Sequence, residues 1–178
     1  MSTVRSQNAR LPGYRSGNVA LLFAVAVLLT ALGFEYIGGY LPCPLCYQQR
    51  YAYYAGIPAL FLALICLSAD QRTWATVLFF LVSLAFLANA GFATYHAGAE
   101  WGFWPGPTSC AGASTLVNQP LDLSAALADT PPAVQCDQAA LRVLGLSFAG
   151  WNVVACLVIF ALALNAAGKT AGPASVTA

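Results

Sequence analysis

Residues 51–95 read YAYYAGIPALFLALICLSADQRTWATVLFFLVSLAFLANAGFATY. Tyr51 to Ala69 carries no charge, Thr73 to Tyr95 carries none, and Asp70-Gln71-Arg72 separates them. The hydrocarbon core of a bilayer takes about 20 predominantly apolar residues of helix. The stretch therefore reads as two membrane-spanning helices joined by a tight turn. Gly56 and Pro58 interrupt the first of them, which membrane helices tolerate because neighbouring helices re-satisfy the freed backbone groups.

Two more spans lie outside this pair. Val19 to Ile37 is apolar except for Glu35 near its end. It is longer than the roughly 7–15 residues of a leader's apolar core, so an uncleaved helix is expected. The last span falls within Val143 to Ala167, which holds no charge. The expected fold is an all-α membrane protein, a four-transmembrane-helix bundle with spans at about 19–37, 51–69, 73–95 and 146–166. One domain would cover residues 1–168, with a disordered tail over 169–178. Composition agrees. Apolar residues make up 60% of the 178 and charged residues 7%, against roughly 25% charged in soluble chains. The net charge of +1 offers no basic patch, so nucleic acid is not an expected partner and membrane lipid is.

The connections are unequal. The first two spans are joined by about residues 38–49. The last two are joined by residues 97–142, rich in Pro, Gly, Ser and Thr, and a loop of that length is commonly functional or disordered. Leu121 to Leu127 follows Pro120, with Asp122 in its first turn and Leu123 and Leu127 on one face. It reads as a short helix on the membrane surface, a plain loop being the alternative. Arg5, Arg10, Arg15, Arg72 and Lys169 fall on one side of the bundle, and Arg50 and Arg142 on the other. The positive-inside rule then puts both termini in the cytoplasm and both longer loops on the opposite face. Trp101, Trp104 and Trp151 read as interface anchors.

Six cysteines raise the question of an oxidising compartment. Cys43 and Cys46 lie in the first loop, Cys110 and Cys136 in the long one, and span parity puts all four on one face. Cys66 and Cys156 fall inside spans and read as small buried apolar residues. The four loop cysteines allow three pairings. Two structural disulfides, a four-cysteine zinc site and a redox centre are the readings open to them. Cys110 and Cys136 lack the close spacing of a zinc ligand pair, so no metal is expected.

The segment YLPCPLCYQQR, Tyr40 to Arg50, favours redox chemistry. Pro44 suits the first helical position, making Cys43 the N-cap and Cys46 the third residue of the second helix. A thiolate there meets free N–H groups and the positive end of the helix dipole. Arg50, four residues after Cys46, shares its face and can stabilise a nearby anion; its plainer role is an interfacial anchor. His96, the chain's lone histidine, is the best proton handler near neutral pH. Tyr47 and Gln49 flank the motif as pocket candidates, and Glu35 is a further residue near the same face.

These motifs resemble those of the DsbB family of bacterial inner-membrane proteins, which reoxidise the periplasmic thiol oxidase DsbA. The similarity runs from the first span through the last. It is carried by PCPLCYQQR, by TYHAG near the end of the third span, by GFWPGPTSC before Cys110, by Cys136, and by GLSFAGWN opening the fourth. The resemblance implies a quinone-dependent thiol-disulfide oxidoreductase of the inner membrane whose redox cysteines face the periplasm. Cys110 would be attacked by a DsbA-type thioredoxin-fold partner, and Cys136 would pair with Cys43. Cys46 would be left as a thiolate facing ubiquinone or menaquinone, with Arg50, His96, Tyr47 and Gln49 around it. Competing expectations are a structural or transport protein stapled by disulfides, and a vitamin K epoxide reductase-like enzyme. The latter family carries its active C-x-x-C late in the chain, which argues against it.

Overall fold

The computed structural model describes residues 11–106, 136, 139 and 141–172. Among them are four long helices: α1 (Tyr14–Tyr36), α2 (Pro44–Ser68), α3 (Arg72–Glu100) and α4 (Phe148–Ala171). A two-stranded antiparallel hairpin, β1 (Arg142–Val143) and β2 (Leu146–Ser147), leads into α4. All four helices are long and apolar enough to cross a membrane.

The burial pattern is that of a protein whose solvent is lipid. The core is made largely of small residues: Ala20 and Ala24 of α1, Ala63 of α2, Ala75 and Ala90 of α3, Ala163 and Ala166 of α4. Large apolar side chains such as Leu22, Phe61, Ile65, Phe80, Leu84 and Leu157 point outward instead. Lipid tails are as apolar as leucine, so helices associate here through close packing rather than burial from water. Phe79 and Phe86 of α3 are the large fully buried wedges. Each docks where a glycine leaves room. A Cβ on Gly17 would lie 2.7 Å from the Phe79 ring, and one on Gly56 would lie 2.6 Å from the Phe86 ring. Helix α3 packs most extensively on α4, and α1 closes the bundle against α2 and α4.

Helix α2 starts at Pro44, as the motif predicts and ahead of the uncharged run, because Cys43 caps it and Pro44 takes its first position. The α2–α3 turn falls where expected, with Asp70 in the left-handed region (φ 58°). Helix α3 continues past Tyr95 to Glu100. Its last turn is held by Trp104, which folds back, stacks on Tyr95 at 5.9 Å and donates Nε1–H to the Tyr95 carbonyl at 2.9 Å. Residues 142–147, expected as loop and span, form the hairpin instead. Leu144 and Gly145 both take positive φ (52° and 86°), the requirement of a tight two-residue hairpin turn. Helix α4 runs to Ala171, so Lys169 to Ala171 is helical rather than tail. Lys169 lies in the last turn, where a cation suits the helix dipole, and Thr170 Oγ1 bonds the Pro12 carbonyl at 3.4 Å. The helix expected at Leu121–Leu127 lies outside the described residues.

Candidate functional site

One end of the bundle gathers the C-terminal turns of α1 and α3 and the N-terminal turns of α2 and α4 around a cavity of about 490 Å³. Phe23, Val27, Phe34 and Val154 make apolar wall, while Cys43, Cys46, Gln49, Arg50, His96 and Glu100 line the same space.

The C-x-x-C is shaped by the start of α2. Cys43 is extended (φ −73°, ψ 164°), and its Sγ accepts the Cys46 N–H at 3.2 Å, the role a serine oxygen plays at an N-cap. Pro44 at the next position has no N–H to satisfy. The turn brings the two sulfurs 2.7 Å apart as free thiols, Cys43 buried and Cys46 half-buried. His96 Nε2 stands 3.5 Å from Cys43 Sγ. The Cys46 thiol first, and the His96 ring after it, hold the Cys43 thiol below the ordinary thiol range against the opposing effect of burial. In the dithiol form Cys43 is thus the sulfur favoured as thiolate. The Cys46 thiolate implied by the family resemblance belongs to a different state, in which Cys43 is already bonded elsewhere.

Cys136 is disulfide-bonded and buried. It packs with Cys43 and Leu45, with Cys46 and Phe92 beside them. Cys110 lies outside the described residues.

His96 is fully buried on α3 and is positioned from its far side. Gln49 Nε2 lies 2.9 Å from His96 Nδ1, Asn152 Nδ2 donates to Gln49 Oε1 at 2.6 Å, and Tyr53 OH donates to Asn152 Oδ1 at 2.7 Å. Asn89 Nδ2 donates to the Gln49 carbonyl at 3.1 Å and to Cys156 Sγ at 3.2 Å. Buried polar groups in a bilayer need partners, and this chain through α2, α3 and α4 supplies them. Cys156 is thus buried, as expected, but also takes part in the polar network. Cys66 packs at the edge of the core.

Arg50 lies on the cavity wall, as its spacing from Cys46 predicts, but it is not a bare cation. Its Nη1 donates to Glu35 Oε2 of α1, and Tyr47 OH donates to Glu35 Oε1 at 3.0 Å. The Arg50 guanidinium also sits 5.3 Å from the Tyr47 ring centre. Glu35 therefore joins Arg50 and Tyr47 in one cluster. Sequence reasoning passed over Asn89, Asn152, Tyr53 and Glu100. The two asparagines carried a signal, since each is an amide inside an apolar span.

The profile of the family described as "Disulfide bond formation protein DsbB" matches residues 15–166. An uncharacterized protein, RP370, of Rickettsia prowazekii is 30% identical over 154 residues, covering 83% of this chain and 85% of that protein. Disulfide bond formation protein B 1 of Pseudomonas fluorescens is 37% identical over 139 residues, 75% of this chain and 77% of that one. Disulfide bond formation protein B of Herminiimonas arsenicoxydans is 43% identical over 83 residues, 43% of this chain and 49% of that one. No solved structure matches the chain.

Proposed function

The chain belongs to the DsbB family of disulfide bond formation proteins, and we propose that it oxidises a DsbA-type thioredoxin-fold partner in the periplasm and passes the electrons to membrane quinone. The observation that carries this reading is the placement of the Cys43 and Cys46 thiols on the wall of a cavity that also holds Arg50 and His96.

The cavity suits a quinone head. Its volume of about 490 Å³ falls in the range of small-molecule sites, roughly 300–1,000 Å³. Its walls are largely aliphatic and aromatic, and Arg50 and His96 offer donors to carbonyl oxygens. When bound, a quinone accepts two electrons and two protons; ubiquinone is the expected species, menaquinone the alternative.

The thiol exchange runs through two disulfides. A partner thiolate attacks Cys110 of a Cys110–Cys136 disulfide, forming a mixed disulfide and releasing Cys136 as thiolate. Cys136 attacks Cys43 of the Cys43–Cys46 disulfide, releasing the Cys46 thiolate into the cavity. The packing of Cys136 against Cys43 makes this a short transfer. The partner's second thiol then displaces Cys110, and the partner leaves oxidised. The freed Cys110 thiolate attacks Cys136 of the Cys136–Cys43 disulfide and releases Cys43 as thiolate. Cys43 then closes on Cys46 as their two electrons pass to the quinone. Each exchange needs an accessible sulfur and a leaving thiolate, and the α2 N-terminus favours that leaving group. Arg50 stabilises negative charge at the cavity, and His96 moves a proton at Nε2. The net change is one partner dithiol oxidised per quinone reduced.

The test is steady-state quinone reduction by the purified protein with reduced partner. Cys46→Ser should abolish turnover, while Cys66→Ser should leave it near the native rate. Native turnover by Cys46→Ser would remove the reading.

A further inference from the structure

The C-x-x-C end of the bundle holds a donor set that the thiol exchange does not use in full. The thiolate-capable sulfurs of Cys43 and Cys46 and Nε2 of His96 lie within 4.8 Å of one another. Glu100 is one helical turn beyond His96, on the same face of α3. Its side chain is only 6% exposed, with Oε1 3.7 Å from His96 Nε2. Its Oε2 has no hydrogen-bond partner among the described residues, although the Ser147 hydroxyl lies near enough to act on the carboxylate. A buried carboxylate oxygen left without a partner is costly. Glu100 lies beside the imidazole rather than within that close group, and a cation held by the sulfurs and the imidazole would satisfy the oxygen once the Glu100 side chain turns toward it.

From this juxtaposition we propose that the reduced protein binds one thiophilic divalent cation of the zinc class through Cys43 Sγ, Cys46 Sγ, His96 Nε2 and the Glu100 carboxylate. The proposal rests on the dithiol geometry and not on the quinone reading. The expectation of no metal weighed only a set of four cysteines, and His96 and Glu100 make a different one.

Spacing supports a tetrahedral site. Zn–S of about 2.3 Å and Zn–N of about 2.0–2.1 Å place a sulfur and a nitrogen about 3.6 Å apart. Cys43 Sγ and His96 Nε2 are 3.5 Å apart. The two sulfurs must separate from 2.7 Å to about 3.8 Å. Cys46, half-buried in the first turn of α2, can do this by rotating its side chain. The second ring nitrogen of a metal-bound histidine is typically held by an outer partner, and here Gln49 holds Nδ1. Turning the Gln49 and Asn152 amides over together presents the Gln49 carbonyl to Nδ1–H and leaves Nε2 a free lone pair. Tyr53 OH then donates to Cys156 Sγ, 3.6 Å away, instead of to Asn152. Sulfur and imidazole donors select zinc-like ions over magnesium or calcium.

Binding is not a redox step. Two thiols each lose a proton as two metal–sulfur bonds form, and no electrons move. A Cys43–Cys46 disulfide has no thiolates to offer, so the cation holds the protein in its dithiol form and opposes reoxidation.

The experiment uses the full chain in detergent, carrying Cys110→Ser and Cys136→Ser and reduced with a phosphine. Titrated cobalt(II) should produce one equivalent of sulfur-to-metal charge-transfer absorption with tetrahedral visible bands, and zinc(II) should abolish them. The same protein oxidised with diamide should show none. Cys46→Ser should at least halve the charge-transfer band, and Cys66→Ser should keep it. Gln49→Ala should weaken binding by about 10–100-fold, and Glu100→Gln at least as much while the sulfur band persists. Absence of the band, its survival in oxidised protein or at full strength in Cys46→Ser, or its loss in Cys66→Ser would overturn the site. Unchanged affinity in Glu100→Gln would overturn the fourth ligand.

Discussion

Gln49 of α2 and His96 of α3 meet at 2.9 Å, both buried, with the opposite edge of the imidazole facing the Cys43 sulfur. The bond ties the helix that carries the C-x-x-C to the helix that carries the histidine. Replacing Gln49 with Leu leaves Nδ1 without a partner and lets the ring turn. The expected result is a loss of roughly 1–3 kcal/mol in stability. Electron transfer from the C-x-x-C to quinone should slow by at least an order of magnitude, since small misplacements at a reacting centre are costly. Partner exchange at Cys110 should keep its rate. Stopped-flow measurement of each half-reaction separates the two, and an equal fall in both would count against a positioning role for Gln49.

Glu35 and Arg50 form a mostly buried ion pair, with side chains 10% and 11% exposed. Removing one partner strands the other's charge, at a cost of about 3 kcal/mol. Arg50→Gln alone should therefore lower the unfolding temperature markedly, and Glu35→Gln with Arg50→Gln should recover most of it. Quinone use should stay impaired in the double variant, because the cation at the cavity wall is still missing, while partner oxidation is less affected. Thermal unfolding in detergent and KM for quinone read the two effects. Recovery of quinone use together with stability would assign Arg50 a structural role only.

The Cys43 thiol is held below the ordinary range, chiefly by the Cys46 thiol. A depressed pKa means that the thiolate persists as pH falls below the usual thiol value of about 8.5. Alkylation of Cys43 in the reduced protein should change little between pH 8 and pH 6.5, where an ordinary thiol slows almost tenfold per unit. Cys46→Ala should restore that steep fall. Peptide mass spectrometry after brief iodoacetamide pulses gives the profile, and an ordinary slope in the unmodified protein would contradict the assignment.

Gly56 leaves the space that the Phe86 ring fills. Gly56→Val should cost about 1–3 kcal/mol by overpacking, and Phe86→Leu in the same chain should return part of it. Unchanged unfolding temperature in Gly56→Val would mean that α2 and α3 do not pack as closely as described.

Much of this architecture is legible in the sequence because membrane spans announce themselves as long uncharged windows. Pro44 after Cys43 likewise announces the start of α2. The last turn of α3 is different. Its segment AGAE has no apolar pattern, and its helical form depends on Trp104 folding back over Gly98, a tertiary contact. The hairpin before α4 follows from two consecutive positive-φ residues, Leu144 and Gly145, and only the glycine hints at that. Within the site, Cys43, Cys46, Arg50, His96, Tyr47 and Gln49 were readable from one motif and a lone histidine. Glu35 with Arg50, and Asn152 with Gln49, join different helices. Those pairings are set by how the helices pack, which spacing along the chain does not encode.

The most direct test of the account is a single turnover under anaerobic conditions, with prereduced protein mixed with one equivalent of a soluble quinone and its thiols mapped by mass spectrometry. The account predicts that quinol appears in step with loss of the Cys43 and Cys46 thiols as a new disulfide, and that Cys46→Ser forms none. Quinol formation with both thiols still free, or at the same rate in Cys46→Ser, would contradict it.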